Sequence, residues 1–98
     1  MEKLVRDKIP EIIENKTGKR PRMRIADEKE FENLLLEKLR EETNEFISSS
    51  NKEELADILE VIHAILKAKG WSFDEIEKIR SEKFKERGGF EKRIVIDF

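Results

Sequence analysis

The segment from Leu55 to Leu66 constrains the fold of this 98-residue chain more than any other feature. Only Asp57, Glu60 and His63 interrupt an otherwise apolar run, whose period predicts a helix with two adjacent apolar stripes. The first stripe consists of Leu55, Leu59, Ile62 and Leu66, and the second consists of Ile58, Val61 and Ile65. An arc this wide exceeds what one neighbouring helix can cover, so the helix should contact both its own chain and a second subunit. The sequence therefore predicts a mainly all-α fold, a bundle of about four helices completed by dimerisation.

Capping residues predict the limits of the four helices. Residues typical of N-caps precede each stretch of helical periodicity, namely Asp7, Asp27, Asn51 and Ser72. Glycines follow the last two stretches, at Gly70 and at Gly88-Gly89. These signals predict helices over about residues 8–16, 28–47, 52–69 and 73–86.

Two short segments have the character of β-strands. Residues 22–25 alternate charged and apolar side chains, and residues 93–97 are rich in β-branched residues. We therefore expect a small two-stranded β element in which residues 22–25 pair with residues 93–97.

The composition excludes several classes of function. The 21 Lys and Arg residues are offset by 23 Asp and Glu residues, and a net charge of −2 provides no global positive field to recruit nucleic acid or a membrane surface. The absence of cysteine excludes disulfides, thiolate metal sites and cysteine nucleophiles. With no signal-peptide pattern and no run of about 20 apolar residues, we expect one soluble cytoplasmic domain over residues 1–98. The charged fraction of 45% is typical of hyperthermophile surfaces.

Carboxylates continue the apolar stripe of the second predicted helix. Phe31, Leu35 and Leu39 lead into Glu42. At about 100° per residue, both Glu42 and Glu45 fall within the apolar arc. Burying an unpaired carboxylate is costly, so these acids require a nearby cation, a wet cleft or protonation. A divalent metal ion would meet that requirement.

A second acidic pair, Glu54 and Asp57, begins the third predicted helix. Both pairs have i,i+3 spacing, and antiparallel packing across the Ser-Ser-Ser-Asn turn between them should bring all four acids together. Oxygen ligands without His or Cys favour Mg²⁺, with Mn²⁺ as a substitute. Glu41 could add a further ligand or bind an activating water. The alternative is that these acids lie on solvated helix faces and pair with Lys or Arg.

Basic residues on the fourth predicted helix suggest a phosphate site. Arg80, Lys83 and Arg87 recur at i, i+3 and i+7 and form one basic edge that ends at two glycines. Lys38, one turn before Glu42, is a further candidate for phosphate binding. The alternatives are that the basic edge pairs with acids of its own helix and that Lys38 only neutralises Glu41 or Glu42.

The combined motifs resemble a known family. Residues 41–46, 53–59 and 82–90 resemble the MazG-like branch of the all-α nucleotide pyrophosphohydrolases, which are similar in fold to phosphoribosyl-ATP pyrophosphohydrolase and dimeric dUTPases. Residues 3–10 also resemble the start of a compact single-domain subgroup. The resemblance thus covers nearly the whole chain.

This resemblance implies a site and a reaction. It implies hydrolysis of a nucleoside triphosphate between the α- and β-phosphates, giving a monophosphate and pyrophosphate, with non-standard nucleotides among the possible substrates. The functional unit would be a homodimer or a dimer of dimers. The implied Mg²⁺ ligands are Glu42, Glu45, Glu54 and Asp57. Glu41 would position or deprotonate the attacking water, and Lys83 and Arg87 would contact phosphates.

Two other interpretations stay open. Glu60 and His63 have an E-x-x-H spacing that, repeated in a dimer, would imitate a di-iron carboxylate bundle. The helical wheel opposes this, because it places both residues away from the first apolar stripe. The second alternative is a nucleotide-binding or structural helical dimer that keeps the scaffold without catalysis.

Overall fold

Four helices make up most of the structure, a computed structural model that describes residues 2–98. Their bounds are α1 (Ile9–Thr17), α2 (Glu28–Ser49), α3 (Lys52–Lys69) and α4 (Phe73–Arg87). The predicted all-α class is confirmed, and each predicted helix exists within two residues of its expected limits. None of the helices in the described range is long and apolar enough to cross a membrane.

Local side-chain caps explain why three of the four starts were predictable. The side chains of Asp27 and Asn51 accept hydrogen bonds from backbone amides three residues further on, and Ser72 forms a reciprocal capping box with Glu75. The predicted cap at Asp7 is wrong. Residues 7 and 8 form a turn instead, in which the amide of Ile9 donates to the carbonyl of Arg6, so α1 begins one residue later than expected.

The antiparallel pair of α2 and α3 forms the centre of the fold. It is the one substantial helix–helix packing among the described residues. Leu35 of α2 is only 3% exposed, and Val61 and Leu66 of α3 are also buried. The link consists of Ser50, in the left-handed conformation at a φ of 54°, and Asn51. A connection this short forces the end of α2 against the beginning of α3.

Much of the first apolar stripe of α3 is not covered by its own chain. Leu55 and Leu59 are 48% and 54% exposed, whereas Val61 of the second stripe is buried between the helices. Apolar side chains of α4, including Ile79 and Phe84, are also about half exposed. The radius of gyration is 17.6 Å, compared with about 13 Å for a compact domain of 100 residues. The chain alone therefore leaves apolar helix surface in contact with solvent.

The predicted β element does not form in this monomer. Residues 2–98 contain no strand, and both Ile25 and Val95 are almost fully exposed. The guanidinium of Arg24 binds Glu30 and Glu2, which ties the first segment to α2 and to the N-terminal residues. Side chains with a preference for strands do not by themselves select a pairing partner.

Candidate metal centre

Three carboxylates from two helices meet beside the α2–α3 turn. Glu42, Glu54 and Asp57 each offer an oxygen, and these oxygens all lie within 4.8 Å of one another. The i,i+3 spacing places Glu54 and Asp57 on one side of α3, and the short link brings α2 against that side. The predicted convergence of the two acidic pairs is thus confirmed for these three residues.

Glu42 is buried where the stripe of α2 would otherwise carry an apolar residue. It is 7% exposed, and no described residue donates a hydrogen bond to its buried Oε2. Burial, and then the nearby charge of Glu45, raise the pKa of Glu42 above its usual value. Leaving a buried polar atom without a partner costs about 1 to 3 kcal/mol, and more when the group is charged. Protonation or a nearby cation would relieve this cost.

Glu54 of α3 also has a buried carboxylate oxygen without a hydrogen-bond partner among residues 2–98. Its Oε2 is buried, and no donor in the described chain reaches it. Burial is the main cause of its raised pKa, followed by the interaction with the neighbouring carboxyl group of Glu45. Two helices thus each contribute one buried carboxylate oxygen without a donor.

Glu45 lies beside the cluster but not within the buried arc. Its side chain is exposed, so the prediction of burial is wrong. Glu45 lies one turn before the end of α2, where only the beginning of α3 is available to cover it. Its charge nevertheless raises the pKa of both Glu42 and Glu54.

Glu41 is paired with two lysines. Its Oε1 lies 2.5 Å from the ammonium of Lys3, and its Oε2 lies 3.4 Å from Lys38. The hydrogen bond from Lys3 is the main reason that the pKa of Glu41 is lowered. Lys38 also lies 3.5 Å from Oε1 of Glu42, as the neutralising interpretation of this lysine predicts.

The N-terminal residues contribute two basic groups, Lys3 and Arg6, that sequence reasoning missed. Nη2 of Arg6 lies 2.8 Å from Oδ1 of Asp57, although the two residues are 51 positions apart. No helical spacing connects Lys3 or Arg6 to the acids that they contact. The family-like segment 3–10 was the only signal in this region, and it carried no assignment of roles.

A cleft of about 420 Å³ lies between the N-terminal residues, α2 and α3. Its apolar wall includes Phe31, Leu35 and Val61. Its carboxylates include Glu42 and Asp57. Its volume is within the range of small-molecule sites. The carboxylate cluster is therefore adjacent to a space that could hold an organic ligand.

The basic edge of α4 does not join the cluster in this monomer. Arg80 pairs with Glu77 at 2.6 Å, as the alternative interpretation of this residue predicts. Lys83 and Arg87 are exposed, and neither belongs to the described lining of the cleft. Their proposed contact with phosphates stays a prediction.

His63 stacks on an aromatic residue and does not belong to the group of possible metal ligands in the part of the chain that the structure describes. Its ring stacks on Phe73 with centroids 5.8 Å apart and an interplanar angle of 19°. His63 and Glu60 are both exposed and line the cleft. Within residues 2–98, the group of possible metal ligands consists of Glu42, Glu54 and Asp57, without the histidine.

The donor set of the cluster is carboxylate oxygen, which suits hard divalent cations such as Mg²⁺ and Mn²⁺ better than zinc. Comparison of the chain with protein-family models, with curated proteins and with solved structures found no match.

Proposed function

We propose that this chain is a Mg²⁺-dependent nucleoside triphosphate pyrophosphohydrolase. The observation that carries the proposal is the position of Glu42, a buried carboxylate within 4.8 Å of Glu54 and Asp57 whose Oε2 receives no hydrogen bond from the described residues. Such a cluster fits a hard divalent cation. The resemblance of the acidic motifs to the MazG-like branch supplies the expected reaction, cleavage between the α- and β-phosphates.

The three converging acids would hold the Mg²⁺, with Glu45 as a neighbouring fourth candidate. When bound, the ion supplies neutralisation of charge on the phosphate oxygens. The water oxygen bonds to phosphorus as the bridging P–O bond breaks, and pyrophosphate leaves. Glu41, which Lys3 and Lys38 keep ionised, would accept a hydrogen bond from this water. Glu41 would then receive the proton that the water loses, because Glu42 would be held as a ligand of the ion.

A homodimer is part of the proposal because the exposed apolar surface needs a cover. The exposed residues of α3, Leu55 and Leu59, would then become core residues of a bundle formed by two copies. Lys83 and Arg87 stay candidates for phosphate binding within that assembly, and a dimer of dimers would retain the same contacts.

Release of pyrophosphate tests the activity directly. Purified protein is incubated with Mg²⁺ and a panel of normal and modified nucleoside triphosphates, and the products are separated by ion-exchange chromatography. We expect equal amounts of monophosphate and pyrophosphate from at least one substrate. Binding of nucleotides without any release would overturn the hydrolase and favour the non-catalytic dimer.

Matched variants of α2 separate a specific role from a general effect of charge. Glu42→Gln removes one buried carboxylate of the cluster, while Glu37→Gln removes an exposed one from the same helix. We expect the first to abolish turnover and the second to retain it. Equal activity of both variants would remove the cluster from the mechanism.

A further inference from the structure

We propose that Arg6 is a substrate-binding residue whose guanidinium exchanges Asp57 for a phosphate of the nucleotide when the site binds its divalent cation. This inference rests on the proposed function. It concerns residues 3–7, here named the N-terminal strap, which run past the carboxylate cluster before α1 begins.

The strap contacts both helices that build the cluster. Lys3 pairs with Glu41 of α2, and Arg6 pairs with Asp57 of α3. Just outside the strap, Glu2 is bound by Arg24, which also binds Glu30 at the beginning of α2. The strap ends two residues before α1, so the chain itself keeps Arg6 beside the cluster when the guanidinium changes its partner.

The Arg6–Asp57 pair has the properties of an exchangeable contact. Both side chains are substantially exposed. Exposed ion pairs contribute little to stability. Asp57 belongs to the carboxylate group that fits a cation, so Arg6 and the cation interact with the same acid. Because the two positive charges repel each other, binding of the cation weakens the hold of Arg6 on Asp57.

A phosphate is the expected new partner of Arg6. A guanidinium binds phosphate oxygens through paired hydrogen bonds in a fixed geometry. Arg6 lines the cleft together with Glu42 and Asp57, so a ligand there lies between the carboxylates and this cation. The negative charge of a triphosphate also compensates for the repulsion between Arg6 and the divalent ion.

Two binding measurements test this exchange without relying on activity. Isothermal titration with Mn²⁺ alone compares wild type, Arg6→Gln and the control Arg20→Gln, whose ion pair with Glu14 lies outside the cluster. We expect Arg6→Gln to bind Mn²⁺ about two- to fivefold more tightly, because one competitor for Asp57 is gone. Titration with the Mn²⁺ complex of inorganic triphosphate should show about tenfold weaker binding to the same variant. The control should match wild type in both titrations.

Each result bears on the proposal in a defined way. Unchanged or weaker Mn²⁺ binding by Arg6→Gln overturns the competition, and unchanged triphosphate binding overturns the role at phosphate. If either occurs while wild type still releases pyrophosphate, only the inference about Arg6 fails. If neither wild type nor Arg6→Gln binds Mn²⁺ and wild type releases no pyrophosphate, both proposals fail. Far-ultraviolet circular dichroism checks that the variants keep their helices. Arg6→Lys should return the Mn²⁺ affinity close to that of wild type, because the positive charge is kept. Its affinity for triphosphate should stay below that of wild type, because a lysine lacks the paired donors of a guanidinium.

Discussion

Glu42 of α2 and Glu54 of α3 approach each other, and each has a buried oxygen that no donor in residues 2–98 reaches. Burial and neighbouring acids raise the pKa of both carboxyl groups. A protein that gained nothing from this pair would be more stable with an apolar or amide side chain in place of either acid. The pair is therefore a cost to the stability of the metal-free fold, and the proposed binding of a cation would offset that cost.

Glu42→Gln should increase the stability of the metal-free protein at pH 7 while abolishing turnover. The amide keeps the shape of the side chain and removes a buried charge, so we expect the melting temperature to rise by about 4 to 8 °C, which corresponds to roughly 1 kcal/mol in a domain of this size. Differential scanning calorimetry in the presence of a chelator measures the change. A large fall in melting temperature would mean that the carboxylate is structural.

The greater stability of Glu42→Gln relative to wild type should depend on pH. Because the pKa of Glu42 is raised in the folded protein, the folded state holds this proton more tightly than the unfolded chain. Wild type therefore loses stability relative to the variant as the pH rises from the ordinary glutamate value of 4.5 through the raised value. The difference in melting temperature between the variant and wild type should increase between pH 4 and pH 8. A difference that does not change with pH would contradict the assigned burial of the charge.

Divalent cations should stabilise wild type more than the variants of the cluster. An ion that binds only the folded state adds about 1.4 kcal/mol of stability for each tenfold excess over its Kd. We expect Mg²⁺ and Mn²⁺ to raise the melting temperature of wild type but to have little effect on Glu54→Gln. Glu37→Gln should respond as wild type does, and a response in all three proteins would indicate nonspecific binding of the ions.

Lys3→Gln should shift the acid side of the pH–activity profile upwards. The hydrogen bond from Lys3 lowers the pKa of Glu41, so its loss lets that carboxylate take up a proton at a higher pH. Because the lysine is exposed, solvent screens this ion pair and the expected shift is small. Values of kcat/KM measured from pH 5 to pH 9 would reveal it. The exposed Lys19→Gln provides the control, and identical profiles would remove Glu41 from the rate-determining ionisation.

Leu59→Glu should disrupt the proposed homodimer. Leu59 is 54% exposed in the single chain and would be buried by a second copy, so a carboxylate there would be costly only in the dimer. Sedimentation velocity should change from dimer to monomer. Asn33→Glu introduces the same charge at an exposed polar position of α2 and should leave the dimer intact. A wild-type monomer at high concentration would contradict the predicted assembly.

Short-range signals account for what could be predicted of the fold. Asn51 and Gly70 define both ends of α3, because each satisfies backbone groups within its own turn of the helix. The position of Glu42 followed from helical periodicity, since a side chain in line with Leu35 must face the same neighbour. The position of Glu45 was misjudged because periodicity gives the face of a helix but not how far along that face the neighbour extends.

The sequence by itself determined the all-α class, the α2–α3 hairpin and the convergence of Glu42, Glu54 and Asp57, because caps, period and a short turn act over a few residues. Only the tertiary structure decided that Arg6 binds Asp57 and that residues 22–25 and 93–97 form no strand pairing within the single chain. These outcomes depend on where distant segments lie in space. An exposed ion pair or a pair of strand-like segments carries no local backbone signal that selects one partner among the many that the chain offers.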